Sequence, residues 1–472
     1  MFQDIDCSCD IIEFSQSETE TIPEIDLIFT ACRSSGNKYC FDIVDFNKKK
    51  LFRWFVSLPN AGNSINNIKN IMYKNELPLG YNNYEKYYED QYIVPHTAQL
   101  SPDGKMFIGF GAAESGFSVL VVDTNNASAN FFSSNSYGDF LYSSTGDFDE
   151  NYSNWYYANW PIENKKRQKS NEYSNLFNIF SINIDTLKTK NIISIGKNSN
   201  SESDLDVILP RRVHQLTMSK DGRYIVCTPF DFDPVIPYPN CPIEDDLEGY
   251  RKTHEGGMRL EHLITIDLFK KKHWFTEIPT PVPAHIEFDL YNDDIFYVSA
   301  HNIAAHNIGT ILEGPAVIYK VKITKYGSTI IDSHYTNKDF FRITQHSVFL
   351  YNSKVYIAVT CVPNKLIIID SSDMSLWRSI DLFNSAPLKL KNTGALSPEN
   401  KMTVYSLNPS TDGKYIVMEN ADSFIVYDVN SDKILPSAVP RSLPKGFVGR
   451  GHTRTIGQEF INKKNICRIF NA

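Results

Sequence analysis

The chain has 472 residues, of which 42% are hydrophobic and 13% aromatic, and its formal net charge is −8. This length allows a large buried core, and the acidic balance argues against nucleic acid or an anionic membrane as the main partner. No apolar run reaches the roughly 18 residues of a transmembrane helix, and the N-terminus lacks a secretory signal. The 8 cysteines are scattered, so we expect reduced thiols in a cytoplasmic protein.

The first predicted strands lie near the N-terminus. Residues 26–57 contain three β-rich runs separated by Ser-Gly-Asn and Asn-Lys-Lys turns, and their aromatic and β-branched content favours strands. Residues 59–92 are rich in Asn and Tyr and lack periodicity. Such a stretch predicts a long loop, which in a compact fold is often functional.

A hairpin pattern recurs along the rest of the chain. In residues 212–228 an alternating run precedes a Ser-Lys-Asp-Gly turn and a second β-rich run, and Asp-Gly between alternating runs predicts a hairpin. A histidine opens this unit, seven residues before the turn Asp221. The same arrangement returns with His96 before Asp103, His285 before Asn292, His346 before Asn352, and Tyr405 before Asp412.

A unit that recurs every several tens of residues, with four strands each, predicts a β-propeller. Six units follow residue 93, and the three N-terminal strands lack a first strand, which the C-terminal tail can supply. We therefore predict an all-β fold over residues 1–472, a single propeller of seven four-stranded blades closed by strands from both termini. Six or eight blades remain open. Long insertions are expected at about residues 59–92, 161–173 and 231–262.

The repeated histidines are the main functional signal. First strands line the central channel of a propeller, so residues at the same repeat position converge on its axis. Several imidazoles facing one axis predict a site for zinc, copper, iron or nickel, and an open coordination position would make it catalytic. The alternative is a structural histidine in each blade. The candidate ligands are His96, His214, His285 and His346, with His452 as a fifth.

Other residues could shape a substrate pocket. The aromatic run at 155–160 contains Trp155, Tyr156 and Trp160, which could line an apolar pocket or pack between blades. Glu287 is a further pocket candidate. Together with Asp289 it could also orient metal-bound histidines, because such histidines usually donate their second N–H to a carboxylate or carbonyl.

Two stretches resemble known propeller enzymes. Residues 443–453, LPKGFVGRGHT, are similar to the Pro-x-Gly-Phe-His-Gly segment of the carotenoid cleavage oxygenases, although Val448 stands where that family has histidine. That family is a seven-bladed propeller with four histidines around ferrous iron, and it cleaves apolar conjugated substrates with oxygen. Residues 96–123 resemble a blade of the selenium-binding, methanethiol oxidase type.

The leading hypothesis is a metal-dependent, oxygenase-like oxidoreductase. One metal, Fe(II) with copper or zinc as alternatives, would be held on the axis and act on a small apolar or aromatic substrate. The rival is a non-catalytic propeller scaffold that binds a protein or ligand on one face. A sugar-hydrolysing propeller ranks last, because it needs paired carboxylates where this chain has histidine. We expect no nucleic-acid partner and no membrane span, and a protein partner stays open.

Overall fold

The computed structural model describes most of the predicted repeat units. It covers residues 2–5, 7–13, 28–32, 38–45, 50–57, 95–100, 105–110, 119–123, 128–132, 146–151, 153–159, 177–195, 213–229, 262–279, 283–300, 315–336, 342–362, 365–382, 406–410, 412–419 and 424–435. His452, Trp160 and the three predicted insertions lie outside these residues, apart from His262 at the end of the third. For His96 and His214 the description covers the backbone only.

All regular structure in these ranges is β-strand. The described residues therefore include no helix that is long and apolar enough to cross a membrane. The strands are β1 (Phe2–Ile5), β2 (Cys7–Glu13), β3 (Ile28–Cys32), β4 (Lys38–Asp45), β5 (Lys50–Ser57), β6 (Pro95–Leu100), β7 (Lys105–Phe110), β8 (Val119–Asp123), β9 (Ser128–Phe132), β10 (Gly146–Phe148), β11 (Asn154–Asn159), β12 (Phe177–Asn183), β13 (Thr189–Ile195), β14 (Val213–Met218), β15 (Tyr224–Pro229), β16 (His262–Asp267), β17 (Lys272–Glu277), β18 (Pro283–Phe288), β19 (Ile295–Ala300), β20 (Val317–Thr324), β21 (Gly327–Tyr335), β22 (Arg342–Tyr351), β23 (Lys354–Val362), β24 (Lys365–Asp370), β25 (Leu376–Asp381), β26 (Ser406–Pro409), β27 (Tyr415–Glu419), β28 (Phe424–Asp428) and β29 (Lys433–Leu435).

The strands form antiparallel sheets, which we number in chain order. Each has four strands except sheet II, which has five, and this confirms the prediction of an all-β chain built from four-stranded units. The strand orders are β3-β4-β5-β2 in sheet I, β6-β7-β8-β9-β1 in II, β10-β11-β12-β13 in III, β14-β15-β16-β17 in IV, β18-β19-β20-β21 in V, β22-β23-β24-β25 in VI and β26-β27-β28-β29 in VII.

The Asp-Gly hairpins of sheets IV and VII are confirmed and have the same construction. Gly222 N donates to Ser219 O at 2.9 Å, and Gly413 N donates to Ser410 O at the same distance. Both glycines have positive φ, 70° and 68°, a conformation that glycine adopts without the usual side-chain penalty. In each turn the serine hydroxyl donates to the aspartate two residues later, at 2.6 and 2.7 Å.

The sequence predicted that the three N-terminal strands lack a first strand, but in the structure they lack an outer one. β3 contacts β6, the first strand of sheet II, so β3 occupies the first position of sheet I. The additional strand is the outer one, and it comes from the N-terminus, because β2 pairs with β5 from Cys7↔Val56 to Glu13↔Lys50. β1 pairs with β9, so residues 2–13 join sheets I and II.

The core lies between neighbouring sheets. First strands contact each other in succession from sheet III to sheet VII, and alternate residues of a strand face opposite neighbours. In β22, Val348 packs in the apolar cluster shared with sheet V, whereas Phe349 packs in the cluster shared with sheet VII. The outer strands β17, β21 and β25 mix exposed and half-buried residues. Where burial is described, the first strands β10, β14, β18, β22 and β26 are therefore mostly buried, and β18 and β22 carry His285 and His346.

Candidate functional site

The first strands share a local irregularity near their starts. In four of them one extra residue interrupts the pairing with the second strand, as in a β-bulge, and bulges bend a strand and re-aim its side chains, often beside active sites. The shifts fall between Pro95 and Thr97 in β6, Val213 and Leu216 in β14, Pro283 and His285 in β18, and Ile343 and Gln345 in β22. All four candidate histidines lie at or just after such a bulge.

The histidines are not at an identical position relative to the bulge. His96 is itself the extra residue of β6, whereas His346 lies three residues beyond Ile343, where the shift in β22 begins. The histidines were identified by counting back from the turn residue, and the turns differ in length from unit to unit. The β22–β23 turn is a two-residue turn, Asn352-Ser353, with both φ values positive, whereas residues 289–294 connect β18 to β19.

His285 and His346 come together between sheets V and VI. Their ring centroids lie 6.5 Å apart, with the ring planes at 79°. Both side chains are buried, His285 with 4% and His346 with 0% of its surface exposed. The two imidazoles are therefore arranged edge to face in one buried space between the sheets.

Ser299 connects the two histidines. It lies directly opposite His285 in the pairing of β18 with β19, and its Oγ lies 2.8 Å from Nδ1 of His346 in the next sheet. A hydrogen bond at Nδ1 fixes the orientation of an imidazole ring and directs Nε2 toward any ligand. If Nε2 of His346 binds a metal, Nδ1 carries the proton and donates it to Ser299 Oγ.

Glu287 fixes the distance between the strands that carry the pair. Its Oε2 accepts hydrogen bonds from Val348 N at 2.6 Å and from Ser347 Oγ at 3.1 Å. Asp147 of β10 makes the same kind of contact with β14, accepting from Met218 N and Thr217 Oγ1, each at 3.0 Å. The described bonds of Glu287 thus join sheet V to sheet VI. This contact between sheets was not among the roles predicted for it.

Asp289 has a local role in the turn that follows β18. Its Oδ1 accepts hydrogen bonds from the backbone of Tyr291 and Asn292, and its Oδ2 accepts from the Tyr297 hydroxyl at 2.7 Å. These bonds shape the turn before β19. For His346, the hydrogen bond described at Nδ1 is with the hydroxyl of Ser299.

Further buried polar groups on the first and second strands, near the histidines in sequence, were not predicted. Gln215 Nε2 donates to Ile286 O at 2.7 Å, and Ile286 N donates to Gln215 Oε1 at 3.0 Å, so this amide joins sheets IV and V. Thr228, Ser299 and Thr360 place a hydroxyl near the end of the second strand in sheets IV, V and VI. A repeated hydroxyl seven or eight residues after the turn residue was the sequence signal that could have identified them.

The predicted aromatic pocket residues do not share a face. Trp155 is 1% exposed and stacks on Tyr157, with centroids 5.5 Å apart. It lies against Gly146, where an added methyl group would overlap its ring. Tyr156 lies on the opposite face of β11 and packs against the apolar cluster shared with sheet IV. Trp155 and Tyr156 therefore contribute to packing on two sides of one strand and do not line a common pocket.

A metal between His285 and His346 must meet a distance condition. Imidazole nitrogen binds such ions at about 2.0–2.1 Å, which places the ion about 3.2 Å from the ring centroid. Rings on opposite sides of one ion then have centroids about 6.4 Å apart, close to the observed 6.5 Å. The separation is compatible with two opposed ligands, whereas tetrahedral ligands would bring the centroids to about 5.2 Å and ligands at right angles to about 4.5 Å.

The rest of a ligand set must come from other strands. Among the described side chains, no three His, Cys, Asp or Glu residues are grouped closely enough to hold a metal. Cys227 and Cys361 are buried free thiols, and burial raises the pKa of Cys227 and raises that of Cys361 to about 12. The candidates that the sequence adds to the pair are His96 on β6, His214 on β14, and His452.

Comparison with known proteins does not assign the chain to a family. A scan against models of known protein families finds no match, and a search of curated proteins finds no significant match. The geometry of the histidine pair is therefore the basis for the function proposed below.

Proposed function

We propose that the chain is a metal-dependent oxidoreductase of the oxygenase type, with one metal held by histidines from successive sheets. The single observation that carries this proposal is the buried, facing pair of His285 and His346, with centroids 6.5 Å apart. Isolated buried histidines are common, but two that meet across a sheet boundary at the separation of opposed ligands are suited to one shared ion.

The propeller architecture is part of the proposal. The seven sheets, with first-strand contacts from sheet III to sheet VII and between sheets I and II, support an arrangement of seven blades around a channel, closed by strands from the termini. In that arrangement β6 and β14 would bring His96 and His214 toward the same axis, and His452 would be a fifth candidate. The ion expected is Fe(II), with copper or zinc as alternatives; iron or copper would supply activation of molecular oxygen, which redox-inert zinc would not.

The chain's own residues would orient the metal-binding histidines and exclude water from the site. Ser299 would hold His346 in the tautomer whose Nε2 can bind, and Glu287 would keep β18 and β22 at a fixed distance. Burial of both rings would keep water away and favour a small apolar or aromatic substrate. The reduced, buried thiols of Cys227 and Cys361 support a cytoplasmic protein.

The second candidate is a binding scaffold in which the histidines are structural. The contact that favours it is the 2.8 Å hydrogen bond between His346 Nδ1 and Ser299 Oγ, because it joins two sheets just as Gln215 and Glu287 do. Under this reading the polar groups of the first strands hold neighbouring sheets in register, and a protein or ligand would bind on one face.

Oxygen consumption separates the two. Untagged protein would be reconstituted with ferrous iron without air, then mixed with oxygen and a panel of small aromatic and conjugated apolar compounds. We expect at least one compound to stimulate oxygen uptake, and His346→Ala to abolish the stimulation. His334→Ala is the matched control, because His334 is a half-buried histidine that contacts Met374 O at 2.9 Å, away from the pair. Equal uptake by wild type and His346→Ala would contradict the proposal.

A further inference from the structure

The turn between β16 and β17 presents an aromatic side chain to solvent on a fixed backbone. Phe269 is 71% exposed. Buried Asp267 holds the turn, because its Oδ1 accepts from Phe269 N at 3.1 Å and from Lys270 N at 3.0 Å, while its Oδ2 accepts from Arg223 Nη2 at 2.8 Å. Lys271 has a φ of 54°. The turn is therefore built to keep Phe269 outward, although burying that ring would be favourable.

A second turn presents another aromatic ring in the same way. Tyr326, between β20 and β21, is 81% exposed, and the ammonium group of Lys325 lies 4.7 Å from its ring centroid. Thr324 fixes this turn, since its Oγ1 donates to Gly327 O at 2.9 Å and accepts from Tyr326 N at 3.1 Å. The turn between β20 and β21 thus exposes the aromatic ring of Tyr326 and the ammonium group of Lys325.

The two turns belong to one surface. Ser328 Oγ donates to Thr265 Oγ1 at 3.0 Å, which joins β21 to β16. At Gly327 an added methyl group would lie 3.6 Å from Trp274 of β17, so the second turn packs directly beside the start of β17. We call this the aromatic-lysine surface, and its exposed members are Phe269, Lys270, Lys271, Lys272, Lys325 and Tyr326.

The charge of this surface opposes that of the whole chain. Residues 268–273 and 325–328 contain four lysines and no acidic residue, although the chain carries a net charge of −8. The charge of Asp267 beneath the turn is matched by Arg223. Asp294, on a neighbouring turn, lies 3.8 Å from Lys322. Lys270, Lys271 and Lys325 thus make the two turns locally cationic.

We propose that the aromatic-lysine surface docks the protein on an anionic lipid bilayer. Lysines are attracted to anionic headgroups, and aromatic rings beside them enter the boundary between headgroups and acyl chains. An acidic protein partner would need a preformed pocket for each of two rings on separate turns, whereas a bilayer accommodates both without one. This docking is peripheral and does not depend on the proposed chemistry.

Vesicle sedimentation of the full chain tests the proposal. We expect binding to phosphatidylcholine vesicles that contain about 30% phosphatidylserine, and weak binding to phosphatidylcholine alone. Lys270→Gln with Lys271→Gln should weaken binding about 25-fold, at about fivefold for each lysine near the surface. Phe269→Ser should weaken it about tenfold. Lys188→Gln with Lys190→Gln is the matched control, because both lysines are exposed on sheet III and the change in charge is the same.

Three results would overturn docking on a bilayer. The first is no binding of the wild type to anionic vesicles. The second is equal weakening by both double variants, which would indicate attraction through overall charge. The third is binding to polyglutamate, but not to vesicles, with the same dependence on Lys270 and Lys271, which would assign the surface to an acidic protein. Thermal melting would show that each variant is folded.

Discussion

Ser299 and His346 are joined across two sheets, with Oγ of the serine 2.8 Å from Nδ1 of the histidine. The same serine lies opposite His285 within its own sheet. The side chain of Ser299 therefore orients the ring of His346, and the backbone of Ser299 is paired with that of His285. This relationship makes Ser299 the residue through which the geometry of the pair can be altered without removing either histidine.

Ser299→Ala should weaken ferrous iron binding without unfolding the chain. Loss of a hydrogen bond behind a metal-bound histidine typically lowers affinity about 10–100-fold, because the ring is no longer held in its binding orientation. The measurement is a titration under anaerobic conditions. Ser328→Ala is the control, since it removes a bond between hydroxyl groups at 3.0 Å between sheets IV and V. Equal affinity in both variants would show that Ser299 does not position His346.

Gly413→Ala should destabilise the protein far more than Gly222→Ala. Both glycines have nearly the same positive φ, 68° and 70°, so the backbone penalty of about 1–2 kcal/mol is shared. An added methyl group at Gly413 would also overlap the carbonyl oxygen of Leu350, whereas at Gly222 its nearest neighbour, Glu150 N, is 3.9 Å away. Urea denaturation should show an extra loss of about 1–3 kcal/mol for Gly413→Ala. Equal losses would place sheets VI and VII further apart than described.

Asp267 should make stability depend on pH in the acidic range. Burial alone would raise the pKa of Asp267, but hydrogen bonds from Arg223 and from the backbone of Lys270 and Phe269 outweigh it and hold the pKa below its usual value. A carboxylate with a lowered folded-state pKa stabilises above its unfolded pKa of about 3.9, and that stability is lost as the pH falls through the folded value.

Asp267→Asn is therefore expected to cost about 1–3 kcal/mol at neutral pH, and its difference from the wild type should shrink below about pH 4. Denaturation curves measured across the pH range provide the readout. Asp185→Asn, at an exposed turn, should change stability by less than about 0.5 kcal/mol at any pH. A cost for Asp267→Asn that stays constant below pH 4 would contradict the assigned pKa direction.

The hairpins were predictable because their signals are local. An Asp-Gly turn between alternating runs determines the pairing of adjacent strands, as at Asp221 and Asp412. The outer strand of sheet I was not predictable in the same way. β2 and β5 pair across more than thirty intervening residues, and no local pattern in the sequence specifies a partner at that distance.

Sequence counting located two candidate histidines that lie close together in the fold. Counting back from the turn identified His285 and His346, which do meet. It could not place them in register, because the turns that follow the two first strands differ in length and the bulge lies at a different distance before each histidine. For Trp155 the sequence did not distinguish two roles. An aromatic run has the same sequence pattern whether its side chains line a pocket or pack over a glycine such as Gly146.

Metal content per chain is the most direct test of the central claim. Untagged protein would be reconstituted with ferrous iron, desalted and analysed by mass spectrometry at known protein concentration. We expect close to one ion per chain in the wild type, none above background in His285→Ala with His346→Ala, and wild-type content in the control His273→Ala with His334→Ala. An ion retained after loss of both His285 and His346, or no ion in the wild type, would contradict a metal held by this pair.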